Sequence, residues 1–342
     1  MSAPKILAIQ FKYFGDAVLL TPSLRAIREK FPQSELHVLV PEKIAPVLQP
    51  LPWLDRVWPM PHRRGHASLR RTWPVIRALR REQFDRSVDF ASNDRGAIAS
   101  LLIGARQRLG WADPGGFWGR PYCYHQRVAP DAIVRHESAR LARLLSAWDL
   151  KPSSLTAEIR ADPALAEKAA ALLPTGKILC HLASSQSKKE WPLAHWAALH
   201  RMAAAAGLEL VFATGVGARE EALLTAFKKL VPAAPVLEPI PDIALYLAVL
   251  RRARVFVSGD TGPLHFAAGL GVPTLALFGP SSPAQWAPIG ASHRFLTGSA
   301  CTCGDVGVCA SANHCLAAIT PEQVFAELKR VVPTAGPPLA SR

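Results

Sequence analysis

The chain has 342 residues, of which 49% are apolar and 19% are charged, and its formal net charge is +14. This length favours two domains over one, and the apolar content excludes a disordered chain. The apolar run at residues 6–9 is too short for a signal peptide and is followed closely by Lys12. We therefore expect a cytoplasmic protein whose six cysteines are reduced thiols rather than a disulfide framework.

The first half of the chain alternates between short apolar runs and longer amphipathic runs. Residues 5–12 predict a buried strand, residues 13–16 a turn, and residues 17–30 a helix. Further strands are predicted at 35–40, 56–59, 85–90, 106–111 and 122–128, and further helices at 68–82, 95–103 and 133–148. This alternation predicts a parallel, doubly wound sheet.

The alternation restarts after a polar, proline-bearing stretch at residues 150–162, which we interpret as a linker. The second half predicts strands at 177–182, 208–213, 255–257 and 274–278, and helices at 192–206, 220–230, 243–252, from 261, and at 320–332. The predicted fold class is α/β, with two Rossmann-like domains facing a cleft. We expect the domains at residues 1–155 and 156–332, with a frayed tail at 333–342.

The most informative stretch is Gly259-Asp-Thr-Gly-Pro-Leu-His265, which follows the predicted strand at 255–257 and begins a helix. Open α/β sheets bind ligands at the carboxyl ends of their strands, and a helix amino terminus favours phosphate. The stretch therefore predicts a site for a phosphate and sugar hydroxyls, formed by Asp260, Thr261, Gly262 and His265. The alternative is a Gly/Pro-rich loop with a helix cap and a core histidine.

Two other loops follow predicted strands. The hydroxyl and ammonium groups of Ser184, Ser185 and Lys189 suit phosphate oxygens, although a solvated loop explains the same composition equally well. Gly215-Val-Gly217 is reminiscent of a dinucleotide-binding loop, but Glu220 stands where that fingerprint has its third glycine. A dehydrogenase is therefore disfavoured.

Asp16 lies at the carboxyl end of the first predicted strand, beside Gly15 and before the predicted helix. Aspartate often caps a helix amino terminus, and this is one interpretation. The other is a carboxylate that faces the predicted cleft and accepts a proton as a general base.

Positive charge is concentrated in the first half, where residues 1–150 contain 23 Lys and Arg against 13 Asp and Glu. A stretch without acidic residues carries seven arginines: Arg63, Arg64, Arg70, Arg71, Arg77, Arg80 and Arg81. Such a surface attracts a polyanion, whether nucleic acid, an anionic membrane or a phosphorylated substrate. For any single arginine, a solvated helix face is the alternative.

Four cysteines lie within fifteen residues, with His314 among them: Cys301, Cys303, Cys309 and Cys315. Their spacing differs from that of a paired zinc-ribbon motif. The interpretations are a structural metal or redox-sensitive cluster, or a loop with free thiols. The sequence contains no Asp-x-Asp motif, so a divalent cation held at a nucleotide diphosphate by that route is unsupported.

These motifs together resemble the lipopolysaccharide heptosyltransferases of glycosyltransferase family 9. The likeness is carried by Gly15-Asp-Ala-Val-Leu-Leu-Thr-Pro22, by the loop from 181 that ends Lys189-Glu-Trp-Pro192, by 259–265 with Phe278-Gly-Pro280, and by the cysteine-bearing stretch before Ile319-Thr-Pro-Glu322. The motifs occur in the family's order and the likeness covers nearly the whole chain. It implies the glycosyltransferase B fold, which consists of two Rossmann-like domains.

The resemblance implies transfer of heptose from ADP-L-glycero-D-manno-heptose to the inner core of lipopolysaccharide, with inversion and without a metal or other cofactor. It makes Asp16 the catalytic base. The donor-binding residues that it implies are Ser184, Ser185, Lys189, Glu220, Asp260, Thr261, Gly262 and His265. Glu220 matches a ribose-binding acid, although Arg219 stands at the ungapped position.

The expected partners are the nucleotide-sugar donor, a phosphorylated glycolipid acceptor and the inner face of the cytoplasmic membrane, but not nucleic acid. The expected acceptor-binding residues are Arg63, Arg64, Arg70 and Arg71. One alternative is a family-9 transferase that uses another nucleotide sugar or acceptor. The other is a non-catalytic, two-lobed protein that binds a nucleotide or a sugar.

Overall fold

The computed structural model describes residues 3–61, 69–113, 115–301, 303 and 315–332. The chain divides into two compact units, Met1–Arg160 and Ala161–Arg342, which we call unit 1 and unit 2. The division falls inside the proline-bearing stretch at 150–162. Each unit is an α/β structure built around its own parallel sheet, and no helix in the described ranges is long and apolar enough to cross a membrane.

The described residues of unit 1 contain one six-stranded sheet with the order β3-β2-β1-β4-β5-β6, in which neighbouring strands are parallel. The strands are β1 (Lys5–Ile9), β2 (Glu35–Pro41), β3 (Arg56–Met60), β4 (Arg86–Asp89), β5 (Gln107–Trp111) and β6 (Gln126–Val128). The helices are α1 (Phe14–Leu19), α2 (Thr21–Lys30), α3 (Ala45–Leu48), α4 (Leu69–Arg81), α5 (Asp94–Ile103) and α6 (Glu137–Leu144). The strand order reverses between β1 and β4, which is where such sheets bind ligands.

Both faces of this sheet are covered, which explains why β1 is a nearly continuous apolar run. Ile6 and Ala8 pack into one core with residues of α1, α2 and α6. Leu7 and Ile9 pack into a second core with residues of α4 and α5, because side chains alternate along a strand. Helices on both faces therefore hold the carboxyl end of β1 in place.

The described residues of unit 2 contain a five-stranded parallel sheet with the order β11-β10-β9-β7-β8. The strands are β7 (Ile178–His181), β8 (Leu210–Ala213), β9 (Val255–Gly259), β10 (Thr274–Phe278) and β11 (His293–Thr297). The helices are α7 (Ala166–Leu172), α8 (Leu193–Ala205), α9 (Ala218–Leu230), α10 (Ile243–Leu250), α11 (Gly262–Gly269), α12 (Pro283–Trp286) and α13 (Pro321–Val331). Here the order reverses between β7 and β9, so the loops after these two strands meet.

The sequence predictions differ from the structure mainly at the ends of elements. The helix predicted at 17–30 is two helices, because Pro22 has no backbone N–H to continue the helical ladder. The Thr21 hydroxyl instead donates to the Val18 carbonyl oxygen at 2.7 Å. The helix predicted at 133–148 begins only at Glu137 and ends in a 3-10 turn. The sequence pattern missed the helices α3, α7 and α12 and the strand β11.

Candidate active site

Asp16 lies on α1, just past the carboxyl end of β1, and only 6% of the residue is exposed. Its Oδ2 accepts a hydrogen bond from the Tyr13 N–H at 3.2 Å. Tyr13 is the N-cap of α1 and Asp16 is the third residue of the helix, so the interpretation of Asp16 as the N-cap is wrong. Asp16 instead supports the helix start from inside the first turn, as the third residue of a capping box does.

Three charged side chains surround Asp16. Lys12 Nζ lies 3.9 Å from Asp16 Oδ1 and 3.6 Å from Glu137 Oε1. Arg140 donates two hydrogen bonds to the Glu137 carboxylate, at 2.7 and 2.6 Å. Burial raises the pKa of Asp16, the Lys12 ammonium lowers it and the Glu137 carboxylate raises it, so that the net shift is upward. A raised carboxylate pKa brings proton acceptance closer to neutral pH, which suits a general base.

Asp89 is a second buried carboxylate at the same sheet edge, at the end of β4 beside β1. The Tyr124 hydroxyl donates to its Oδ2 at 2.6 Å and the Ala91 N–H donates to its Oδ1 at 2.9 Å. Burial raises the pKa of Asp89 to about 6, against the lowering effect of these two hydrogen bonds. A Cβ at Gly96 would lie 2.4 Å from Asp89 Oδ1, so this close packing requires glycine.

In unit 2 the loops after β7 and β9 meet because these strands are neighbours. Lys189 Nζ lies 2.7 Å from Asp260 Oδ2, and the Ser184 hydroxyl donates to the Asp260 carbonyl oxygen at 3.2 Å. The approach requires glycine at position 259, since a Cβ there would lie 2.6 Å from the Lys189 carbonyl oxygen. The fold thus brings three of the sequence-predicted residues together.

Arg219 joins this cluster to the start of α9. Its guanidinium donates to the Ser184 carbonyl oxygen and to the Glu190 carboxylate, and it lies 3.1 Å from Glu220 Oε1. Glu190 also accepts the Ser184 N–H at 3.0 Å, and the hydrogen bond with Glu190 raises the pKa of Arg219. Glu220 therefore connects to the other predicted residues through Arg219.

The remaining predicted residues of unit 2 lie beside the same strand ends. Ser185 is exposed in the loop after β7. Thr261 is the N-cap of α11 and Gly262 is its first residue, so the backbone N–H groups of the first turn lie at the end of β9. His265 is buried one turn later, with its ring 6.3 Å from the Trp286 ring.

The predicted acceptor-binding arginines are only partly described. Arg70 and Arg71 are exposed on α4, and Arg71 forms an ion pair with Glu42 at 3.2 Å. Arg63 and Arg64 lie outside the described residues. Their binding of an acceptor stays a prediction.

The cysteine stretch is also partly described. Cys301 and Cys303 are partly exposed and Cys315 is buried, whereas Cys309 lies outside the described residues. Among the residues that the structure describes, no group of three or more His, Cys, Asp or Glu side chains is arranged to hold a metal ion. The four-cysteine cluster stays a prediction.

Sequence reasoning missed the residues that surround Asp16 and Lys189: Lys12, Glu137, Arg140 and Glu190. Lys12 and Asp16 stand four residues apart, a spacing that often pairs opposite charges. Glu137 and Arg140 stand three residues apart, which predicts their own ion pair, but only the packing of α6 near α1 brings them to Asp16.

Each unit has a parallel sheet with charged side chains at its carboxyl edge, an arrangement that is compatible with the two-domain glycosyltransferases. The sequence matches glycosyltransferase family 9 (heptosyltransferase) over residues 72–305, and the chain belongs to this family. It is therefore a glycosyltransferase, and the family resemblance and the enzyme class predicted from the motifs are confirmed.

The most informative relatives are bacterial heptosyltransferases. The chain is 24% identical to lipopolysaccharide heptosyltransferase 2 of Escherichia coli K12, over 96% of this chain and 98% of that protein. It is 26% identical to lipopolysaccharide heptosyltransferase 1 of the same strain, over 82% and 89% of the two chains.

Solved structures show the same fold. A family-9 glycosyltransferase from Veillonella parvula aligns with a TM-score of 0.82 and 20% identity, over 97% of this chain and 98% of that one. The E. coli ADP-heptose lps heptosyltransferase II aligns with a TM-score of 0.77 and 21% identity, over 96% and 98%. The predicted α/β fold class is confirmed.

Proposed function

We propose that this glycosyltransferase moves a heptosyl group from ADP-L-glycero-D-manno-heptose to the inner core of lipopolysaccharide, with inversion at the anomeric carbon. The observation that carries the proposal is the cluster of Ser184, Lys189 and Asp260 in unit 2, at the point where the strand order reverses between β7 and β9. It combines an ammonium, hydroxyls and a helix amino terminus, the groups that hold a nucleotide diphosphate. Relatives named for ADP-heptose and lipopolysaccharide supply the substrate class.

In this proposal unit 2 binds the donor. Lys189 leaves its ion pair with Asp260 to meet the diphosphate, while Ser184, Ser185 and the backbone N–H groups of Thr261 and Gly262 bind phosphate oxygens. Carboxylates bind the hydroxyls of ribose or of the transferred sugar, and those of Asp260 and Glu220 are the candidates. His265 lies one turn into α11 and completes the set.

Unit 1 supplies the base. The Asp16 carboxylate accepts the proton of the attacking acceptor hydroxyl as that oxygen bonds to the anomeric carbon and the carbon–oxygen bond to ADP breaks. Burial and Glu137 raise the pKa of Asp16 and Lys12 lowers it, and the net upward shift makes the carboxylate a stronger proton acceptor. The donor ADP leaves with the bonding electrons.

The proposed reaction uses no metal or other cofactor. The negative charge that develops on the departing diphosphate is met by Lys189 and by the amino-terminal end of α11. Lys189 and the helix amino terminus thus provide the positive charge that a divalent cation provides in metal-dependent transferases.

The acceptor in this proposal is a phosphorylated glycolipid that unit 1 meets from the inner face of the cytoplasmic membrane. The exposed arginines of α4 support it, because guanidinium groups bind phosphate in a bidentate manner. Arg70 and Arg71 are the described candidates, and Arg63 and Arg64 complete the proposed set.

The proposal is tested by turnover with a panel of nucleotide sugars and truncated core acceptors. ADP-heptose should be used with a kcat/KM at least about a hundredfold above that for UDP-glucose or GDP-mannose, since a buried polar site rejects a mismatched partner strongly. Preference for another nucleotide sugar would favour the alternative of a different family-9 activity. Absence of turnover with ADP-heptose and every core acceptor would overturn the proposed donor and acceptor.

A further inference from the structure

Helix α5 carries a second apolar face that its own unit does not bury. Ile98, Leu101 and Leu102 are exposed by 45, 46 and 36%. They stand three and four residues apart, so they share one face, while Ala97, Ala99 and Ile103 pack inward. A helix that is apolar on two faces is normally covered on both.

A neighbouring segment adds aromatic side chains to this region. Residues 115–124 follow β5 and pack along α5, where the Phe117 N–H donates to Asp94 Oδ1 at 3.2 Å and Cys123 packs on Ala97. Trp118 is 88% exposed and Tyr122 is 72% exposed, with their rings 5.8 Å apart. We call the set of Ile98, Leu101, Leu102, Phe117, Trp118 and Tyr122 the apolar patch.

Positive charge lies directly beside the apolar patch. Helix α4 packs against α5, and Arg80 of α4 donates to the Leu102 carbonyl oxygen at 2.9 Å. Arg77, Arg80 and Arg81 are exposed on α4, as is Trp73, and α4 contains no acidic residue. Apolar and aromatic side chains flanked by arginines are the composition of surfaces that bind anionic lipid bilayers.

We propose that the apolar patch and the exposed arginines of α4 form one docking surface for an anionic lipid bilayer. Trp118, Tyr122 and the exposed leucines enter the interfacial region, and the arginines meet lipid phosphates. Both α5 and the 115–124 segment begin at the carboxyl edge of the unit 1 sheet, the edge at which Asp16 lies. Helices α4 and α5 run toward the opposite edge and carry the exposed arginines and leucines in their later turns, so docking lays this side of unit 1 along the membrane surface.

The inference rests on the proposed function only for the identity of the acceptor, and the test separates the two. Binding of the full chain to sucrose-loaded vesicles is measured by co-sedimentation without donor or acceptor, using phosphatidylglycerol vesicles and phosphatidylcholine vesicles. Transfer to a lipid-free acceptor is measured separately. Failure of vesicle binding overturns the docking surface, whereas failure of transfer overturns only the reaction.

Two pairs of substitutions separate the apolar and the charged contributions. Leu101→Ser with Trp118→Ser should weaken binding to phosphatidylglycerol vesicles by about tenfold or more, because buried apolar area is lost. Arg77→Gln with Arg81→Gln should weaken it by about 25-fold, from about fivefold for each arginine near an anionic surface. Neither pair should raise binding to phosphatidylcholine.

Matched controls come from exposed residues of unit 2. Leu172→Ser with Leu230→Ser removes two leucines exposed by 43 and 54%, and Lys168→Gln with Lys229→Gln removes two exposed cations. Both control pairs should bind vesicles like the wild type. If the Leu101→Ser with Trp118→Ser variant has a lowered melting temperature, Trp118→Ser alone replaces it in the binding test, because Trp118 is almost fully exposed.

The expected set of results is wild-type binding that needs phosphatidylglycerol, falls with added NaCl, and is lost in the patch and arginine variants but not in the controls. The Leu101→Ser with Trp118→Ser variant should keep its turnover with the lipid-free acceptor. Equal vesicle binding by wild type and patch variants overturns the proposal. So does a patch variant that changes only self-association in sedimentation equilibrium, since the patch would then join two copies of the chain.

Discussion

The polar centres of the two units are built in different ways. In unit 1 the buried carboxylate of Asp16 lies near the charges of Lys12 and Glu137, and its pKa is raised first by burial and then adjusted by these two charges. In unit 2 the charges of Lys189, Asp260 and Arg219 are paired across two loops. A single tuned group is suited to a chemical step, whereas several paired groups are suited to binding an anionic ligand. The difference supports the proposal that unit 1 supplies the base and that unit 2 binds the donor.

The largest expected effect follows from removing the proposed base. Asp16→Asn should lower kcat by about 10²–10⁴, because the amide cannot accept the acceptor's proton. Its oxygen can still accept the Tyr13 N–H, so the melting temperature should change little. Steady-state kinetics with ADP-heptose and a core acceptor measure the effect.

The control for this variant is Asp149→Asn. Asp149 is exposed and has a φ of 48°, a left-handed conformation that asparagine also adopts readily. Wild-type turnover is expected for it. Normal turnover by a well-folded Asp16→Asn protein would leave Asp16 as a structural residue of α1.

The second largest effect is expected from a substitution in the loop after β7, which contains Lys189. Lys189→Ala should weaken ADP binding by about 1.5–3 kcal/mol, the range for a hydrogen bond to a charged group. Isothermal titration calorimetry measures it, and Lys168→Ala on the surface of α7 is the matched control. An unchanged ADP affinity in Lys189→Ala would exclude Lys189 from the donor site and weaken the assignment of unit 2.

Substitution of the arginines of α4 should weaken binding of the acceptor and leave binding of the donor unchanged. Arg70→Gln with Arg71→Gln should raise the KM for a phosphorylated acceptor, by about fivefold for each arginine, and should flatten its dependence on NaCl. Arg106→Gln is the control, because the Arg106 side chain is 78% exposed and pairs with Asp85, which is not part of α4. If the acceptor KM of the wild type does not change with salt, the arginines of α4 do not bind the acceptor and form only a solvent-exposed helix face.

The smallest expected effect is a displacement of the pH profile. Lys12→Met removes the positive charge that lowers the pKa of Asp16, so that this pKa rises further. Because the base acts when ionised, the acid limb of kcat/KM against pH should move to higher pH, while the plateau at alkaline pH is retained. Lys43→Met, an exposed lysine in the same unit, should leave the limb in place. A shift to lower pH would contradict the arrangement.

The sequence predicted most of the fold because its strands are short apolar runs that helices cover on both faces, as in β1 and β9. The resemblance to family 9 implied that Ser184, Lys189 and Asp260 serve one donor site, whereas the residue pattern alone explained the loop of Ser184 and Lys189 equally well as a solvated loop; the structure places the three in contact. The spacing of apolar residues did not indicate the break at Leu20, because the signal for it is Pro22, which lacks a backbone donor, and not a change in that spacing. Nor could it predict the approach of Glu137 to Lys12, because this contact between distant residues arises from tertiary packing.

The most direct test of the division between the units is the ADP affinity of Asp16→Asn, measured by calorimetry on the same protein preparation that has lost turnover. We expect an affinity within about twofold of the wild type, because the proposed donor groups all belong to unit 2. A loss of ADP affinity of about tenfold or more, in a protein that still unfolds at the wild-type temperature, would make Asp16 part of the donor site. That result would contradict the assignment of donor binding to unit 2.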